Sequence, residues 1–133
     1  MGGIVEAHVL PDLMKPIGPY SHFTLAGDFI SISAIAGVDP ATGLLAGDDI
    51  ESQTAQVLKA LAMMLDAAGS DYAHLLHVNV FLTDMALFDR MNAVYAAALG
   101  DCRPARSAMA VAALPKPGAL VTMNATAVKK RRS

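Results

Sequence analysis

Arg106 is the residue of this chain best placed by its neighbours to do chemistry. It follows Arg103-Pro104-Ala105 and opens the run Ser107-Ala108-Met109-Ala110-Val111-Ala112-Ala113-Leu114-Pro115. Pro104 holds its own φ and biases Arg103 toward an extended backbone, so the stretch reads as a turn feeding a small, apolar strand that Pro115 stops. A guanidinium at the start of such a strand presents a planar fork of donors that fits a carboxylate or phosphate at two points, and it stays charged near pH 7. From this segment alone, Arg106 is first of all a strand-end arginine whose stem packs and whose head meets solvent or an ordinary ion pair. The chemistry open to it beyond that is the binding of a small anion.

The other reactive side chains form weaker patterns. His8, His22, His74 and His77 show no paired ligand spacing, so no metal site is expected. His77 projects from the mixed face of a strand, where it reads as a hydrogen-bonded residue at a subunit contact rather than a catalytic one. Ser33 and Ser107 have no histidine base in fixed relation, which argues against a hydrolase triad. Gly2-Gly3 and Gly100 lack the following helix that a phosphate loop requires. Cys102 is the one cysteine, so no intrachain disulfide and no thiolate cluster can form, and a reducing, cytoplasmic setting is expected.

Composition limits the partners. With 133 residues the chain is most simply a single domain, 1–133, in which 1–16 form an N-terminal strand and loop and 129–133 a basic tail. Hydrophobic residues make up 54% and charged residues 17%, an apolar balance for so small a surface, so other copies of the chain are expected to cover part of it. A net charge of -2 and a pI near 6.0 give no general attraction to nucleic acid or to a membrane surface. No window approaches the ~20 apolar residues of a membrane span, and no leader pattern opens the chain.

The elements that must position Arg106 follow from periodicity. Residues 4–10 can form an edge strand that Pro11 closes. Residues 14–20 are a loop built on Pro16, Gly18 and Pro19 that ends in Tyr20, which reads equally as packing under its own loop. Strands are expected at 22–26 and 29–35 around a Gly27-Asp28 hairpin, then a loop over 37–43. Ile50, Thr54, Val57, Leu58, Leu61, Leu65 and Ala68 recur at helical steps, which predicts a helix over 50–68 capped by Asp48 or Asp49 and closed by Gly69, with Met63 and Met64 as core filler. A strand over 75–83 should turn Leu76, Val78, Val80 and Leu82 to one face and His77, Asn79 and Thr83, beside Leu75 and Phe81, to the other. A second helix, 86–99, opened by Asp84 and ended by Gly100, carries Leu87, Met91, Val94, Tyr95 and Ala98 inward. After the Arg106 strand and the Pro115-Lys116-Pro117-Gly118 turn, 120–128 alternates again. The order predicts an α+β sandwich: one mixed sheet, both helices on one face, and an open face left for oligomerisation. Lys129-Lys130-Arg131-Arg132 reads as a solvated tail.

Seven segments, in this order, carry a resemblance: Ile17-Gly18-Pro19-Tyr20-Ser21, Asp39-Pro40-Ala41-Thr42-Gly43, Gln53-Thr54, Ala67-Ala68-Gly69-Ser70, Val80-Phe81-Leu82-Thr83-Asp84, Asn92-Ala93-Val94-Tyr95 and Arg103-Pro104-Ala105-Arg106-Ser107. Together they make the chain resemble the RidA family, also called the YjgF/UK114 family, over roughly residues 17–128. The resemblance implies a chorismate-mutase-like protomer of the Bacillus type and a homotrimer with a site in each cleft between subunits. It also implies hydrolysis of reactive enamines and imines such as 2-aminoacrylate to a 2-oxo acid and ammonia, with no cofactor. In that picture Arg106 holds the substrate carboxylate, Tyr20, Ser33 and Asn92 line or shape the cleft, and Ala108 offers a backbone carbonyl near the leaving nitrogen.

The chain departs from the family pattern at three places. Asn124, within Val121-Thr122-Met123-Asn124-Ala125, takes the place of a carboxylate associated with water activation. Ala108 replaces a common cysteine, and Ser33-Ala34-Ile35 replaces Ser-Gly-Gln. An amide at 124 can orient water but cannot take its proton. Two alternatives therefore stand beside the deaminase: a non-catalytic module that binds a small carboxylate or a partner protein, and the ribonuclease or translation-inhibitor activity of some relatives. An acidic balance and the lack of a basic or aromatic groove speak against the latter.

Overall fold

A computed structural model describes residues 4–131. Its strands are β1 (Glu6–His8), β2 (Phe23–Ala26), β3 (Phe29–Ala36), β4 (Val38–Asp39), β5 (Leu44–Leu45), β6 (Leu75–Leu82), β7 (Ala105–Ala110) and β8 (Val121–Val128). Its helices are α1 (Ile50–Ala67) and α2 (Phe88–Leu99). Six strands form one sheet in the order β1-β2-β3-β8-β6-β7, with every pair antiparallel except β6 and β7. That parallel pair is what the α2 crossover provides, since parallel neighbours cannot be joined by a hairpin.

Both helices lie on the same face. Val57, Leu58, Leu61 and Leu65 of α1 and Met91, Tyr95 and Leu99 of α2 join Ile30, Ile32, Val78, Val80, Leu82, Met123 and Ala125 in one buried cluster. The start of α1 is fixed by Asp49, whose side chain accepts from the Ser52 backbone at 2.8 Å; the bonded carboxyl is held below its ordinary range. Its end is fixed by Gly69 at φ +82, a conformation other residues rarely adopt. Gln53, fully buried, reaches across from α1 to hold two loops: Nε2 donates to the Gly47 and Gly118 carbonyls at 2.9 and 3.2 Å, and Oε1 accepts from Leu120 N–H at 2.7 Å.

Several expectations need correction in detail. Leu76 does not share a face with Val78 and Val80. The β6–β8 register shifts between Leu75, opposite Ala127, and His77, opposite Thr126, and the extra residue of that bulge reverses the alternation. Leu75 is therefore buried and Leu76 is 44% exposed. On α2, Leu99 rather than Ala98 completes the buried stripe, which steps by four residues through Met91 and Tyr95. A 3-10 turn over Met85–Leu87 precedes the helix, and Asp84 caps that turn by accepting from Ala86 N–H at 2.9 Å. The Arg106 strand ends at Ala110, well before Pro115. The small β4–β5 ribbon, Val38 and Asp39 opposite Leu45 and Leu44, was not expected inside the loop. Lys129 and Lys130 are tied by backbone bonds to Asp28 and Gly69 carbonyls, both at 2.9 Å; Arg132 lies outside the described residues.

No helix among the described residues is long and apolar enough to cross a membrane. The helix-free face of the sheet mixes exposed Phe29, Leu76 and Met109 with Ser31, His77, Asn79, Asn124 and Thr126.

Candidate active site

β7 is the edge of the sheet, and its pairing sets which way Arg106 points. Val78 stands beside Arg106 and Val80 beside Ala108, so these two residues of β7 share the helix-covered face. There α2 meets the arginine with three side chains at four- and three-residue spacing, which one helix face provides. Arg106 Nη1 donates to Asn92 Oδ1 at 2.7 Å. Its guanidinium carbon lies 4.7 Å from the centre of the Tyr95 ring and 5.5 Å from that of Phe88, within cation–π range of both. Among the described residues no carboxylate comes within ion-pair distance of Arg106, and its other donors have no protein partner.

Tyr95 is 7% exposed, and its hydroxyl finds no hydrogen-bond partner among the described residues. Burial pushes this phenol up from its ordinary value against the opposing charges of Arg106 and Arg103, so it remains a neutral ring under the guanidinium. Asn92, Tyr95, Leu99, Cys102, Arg103 and Arg106 line an open depression at this edge. A fixed cation with spare donors, no bound acid and an apolar floor can take up a small carboxylate.

The other candidate residues lie elsewhere in the protomer. Tyr20 and Ser33 line a second cavity with Met14, Ile17, Ile35 and Thr122. The Tyr20 hydroxyl accepts from Ile17 N–H at 3.2 Å, and Ser33 Oγ donates to the Ser21 carbonyl at 2.5 Å. Asn124 joins neither place: its Oδ1 accepts from Asn79 Nδ2 at 2.8 Å on the open face. The residue of β8 that does reach the Tyr20–Ser33 cavity is Thr122, 6% exposed, which sequence reasoning missed. Thr122 and Asn124 are two residues apart on β8, so strand alternation alone puts both on one face. His77 Nε2 lies 3.1 Å from Ser107 Oγ on that face.

The sheet order fixes the distance between the two halves. β8 and β6 lie between β3 and β7, and three strand spacings amount to roughly 14 Å. A three- or four-carbon acid held by Arg106 spans only part of the separation between the strands of Arg106 and Ser33 in one protomer.

Two helices on one face of this mixed sheet make a chorismate-mutase-like protomer. Residues 11–129 match the family model described as Endoribonuclease L-PSP. A RutC family protein of Pyrococcus horikoshii is 43% identical over 116 residues, 87% of this chain and 91% of that one. The human 2-iminobutanoate/2-iminopropanoate deaminase is 36% identical over 113 residues, 85% of this chain and 82% of that one. The crystal structure of RidA from an Antarctic Psychrobacter superposes with a TM-score of 0.87 at 31% identity, over 92% of this chain and 98% of the other. The chain belongs to the RidA/YjgF family, whose members include imine deaminases.

Proposed function

We propose that this protein hydrolyses small 2-imino or 2-enamino acids to 2-oxo acids and ammonia, in clefts that two copies of the chain complete within a homotrimer. The observation that carries this reading is Arg106, a cation held by Asn92 at 2.7 Å over the Tyr95 and Phe88 rings and paired with no acid among the described residues. The roughly 14 Å between β3 and β7 supports the second half, because Ser33, and Tyr20 in the same cavity, stand apart from Arg106 within one copy. The open sheet face with its exposed Phe29 and Met109 is the surface such assembly would cover. The single cysteine suits a cytoplasmic setting.

The chemistry asked of the site is modest. Arg106 binds the substrate carboxylate and offsets its negative charge, which leaves the adjoining imine carbon more open to attack. An enamine first takes a proton on its β-carbon to become the imine. Water adds to the imine carbon, and the C=N electron pair moves to nitrogen, which takes the proton the added water sheds. The carbinolamine then loses ammonia as its hydroxyl proton passes to the departing nitrogen and the carbonyl forms. Thr122 and Tyr20 offer hydroxyls that orient water but do not take its proton at neutral pH. Orientation and electrostatic stabilisation therefore carry the rate. Among the described residues no carboxylate lines the cavity of Tyr20 and Ser33, which favours one competing reading, a module that binds small carboxylates without turning them over.

A dehydratase that releases 2-aminoacrylate supplies the substrate, and its decay is followed with wild type, Arg106→Ala and no protein. Decay accelerated by wild type alone supports hydrolysis. Equal decay in all three, with a 2-oxo acid still bound by wild type, selects the non-catalytic module.

A further inference from the structure

His22 is 3% exposed and both of its ring nitrogens are bonded. Nδ1 accepts from Leu10 N–H at 2.8 Å, and Nε2 lies 2.7 Å from the Met14 carbonyl. A carbonyl only accepts and a backbone N–H only donates, so the hydrogen is on Nε2 and none is on Nδ1. The same residue's backbone donates to the His8 carbonyl at 2.9 Å and accepts from Ser33 N–H at 3.0 Å. Residues 9–21 are thus fastened to the sheet from beneath by His22 and, at their end, by Ser33 Oγ on the Ser21 carbonyl. Leu13 anchors the first half of this loop in the core, but the half that carries Ile17, 59% exposed, and Tyr20, 40% exposed, has no buried apolar side chain of its own.

We propose that His22 is a positioning residue for the Tyr20 loop, which it holds on the sheet only as the neutral ring with its hydrogen on Nε2. The role in catalysis rests on reading Tyr20 as part of the binding site. A protonated ring has two donors and no acceptor, so Nδ1–H would confront Leu10 N–H at a buried position, losing one bond and stranding two donors. Among the described residues, the groups packed around the ring do not balance the charge. Tyr20 and Lys116 share the cavity wall, and the lysine is of like charge. From β1, His8 stacks on Phe23 and pairs with Glu6 at 3.6 Å. From α1, Met64 presents apolar surface, and from β8, Thr122 is uncharged. Asp12 and Lys15 of the loop itself are exposed, and among the described residues no carboxylate is within ion-pair distance of the ring.

His22→Gln separates positioning from bulk, because its amide offers one acceptor and one donor and does not titrate, whereas His22→Leu offers neither. Ring nitrogen shifts of wild type are read by NMR. Amide exchange of residues 9–21, corrected for the intrinsic pH effect, is followed from about pH 8 to about pH 5. KM for the imino acid is measured over the same range. The expected result is an Nε2–H ring near pH 8, a loop that loses protection roughly tenfold or more on acidification with KM rising in parallel, and a His22→Gln variant flat in both. His22→Leu should show the unprotected loop at every pH. An Nδ1–H ring, or acid loss of protection that is the same in wild type and His22→Gln, overturns the proposal. Should His22→Gln not fold, a wild-type ring that gains a proton with no change in loop exchange also overturns it. The shift and exchange measurements need no substrate, so a chain inert toward imines would sink the deaminase reading and leave this one decided.

Discussion

Arg106 donates to Asn92 across 2.7 Å, and Asn92 belongs to the same face of α2 that sets Tyr95 and Phe88 against the guanidinium. A neutral amide in this place aims the arginine without neutralising it. Asn92→Asp would put a carboxylate where the amide oxygen is and form an internal ion pair that competes with substrate. KM for the imino acid should rise roughly 10- to 100-fold, the scale of hydrogen bonds to a charged group, with kcat less affected. Calorimetric titration with a 2-oxo acid should show the same weakening.

Thr122 and Asn124 make opposite predictions for an installed base. Thr122→Glu places a carboxylate in the cavity shared by Tyr20, Ser33 and Lys116, and should raise kcat by up to roughly 10²-fold, a gain lost as acid protonates the new group. Asn124→Glu removes the amide bonded to Asn79 on the open face and should bring no gain. Steady-state rates of both variants against pH decide between them.

Gln53 is fully buried, and its amide satisfies two carbonyls and one N–H in the loops beside α1. Gln53→Leu leaves these groups without partners and should lower stability by about 1–3 kcal/mol or more. Urea unfolding should show an earlier midpoint with little change in slope.

Glu51 and Arg90 join the two helices by a two-point bridge of 2.7 and 2.8 Å. The Arg90 hydrogen bond is the main reason the Glu51 carboxyl is held below its ordinary range, and Glu51 in turn raises Arg90. A carboxyl lowered by folding adds stability that is present above its unfolded value and is lost as pH falls through the folded value. Glu51→Gln should therefore be slightly less stable than wild type at neutral pH and equal to it in strong acid. Both side chains are about half exposed, so added salt should also shrink the gap. Unfolding curves at neutral and acid pH, with and without salt, test this.

Most of the architecture was legible because it rests on local signals. Asp49 and Gly69 bracket α1 by chemistry that acts within a turn, and the period of Val57, Leu58, Leu61 and Leu65 marks its buried face. The bulge that parts Leu75 from Leu76 was not legible, since it depends on the register against β8, a strand far away in sequence. The same limit applies to the site. Arg106 and Asn92 stand out as types, but the choice of Thr122 over Asn124 as the β8 residue of the Tyr20 cavity depends on where the loop between β1 and β2 lies against the sheet, which periodicity does not encode. Nothing in the sequence sets His22 apart, because its two partners are backbone groups and leave no mark there.

The account stands most directly on Arg106 and Tyr20 serving one cleft from two different copies of the chain. Arg106→Ala and Tyr20→Ala are each to be purified, unfolded together and refolded as mixed oligomers, and imine hydrolysis compared with that of the two refolded separately. Random mixing restores both groups to about one quarter of the clefts of a symmetric oligomer, so the mixture should recover activity that neither parent has. A mixture no more active than the average of its parents would contradict the shared site.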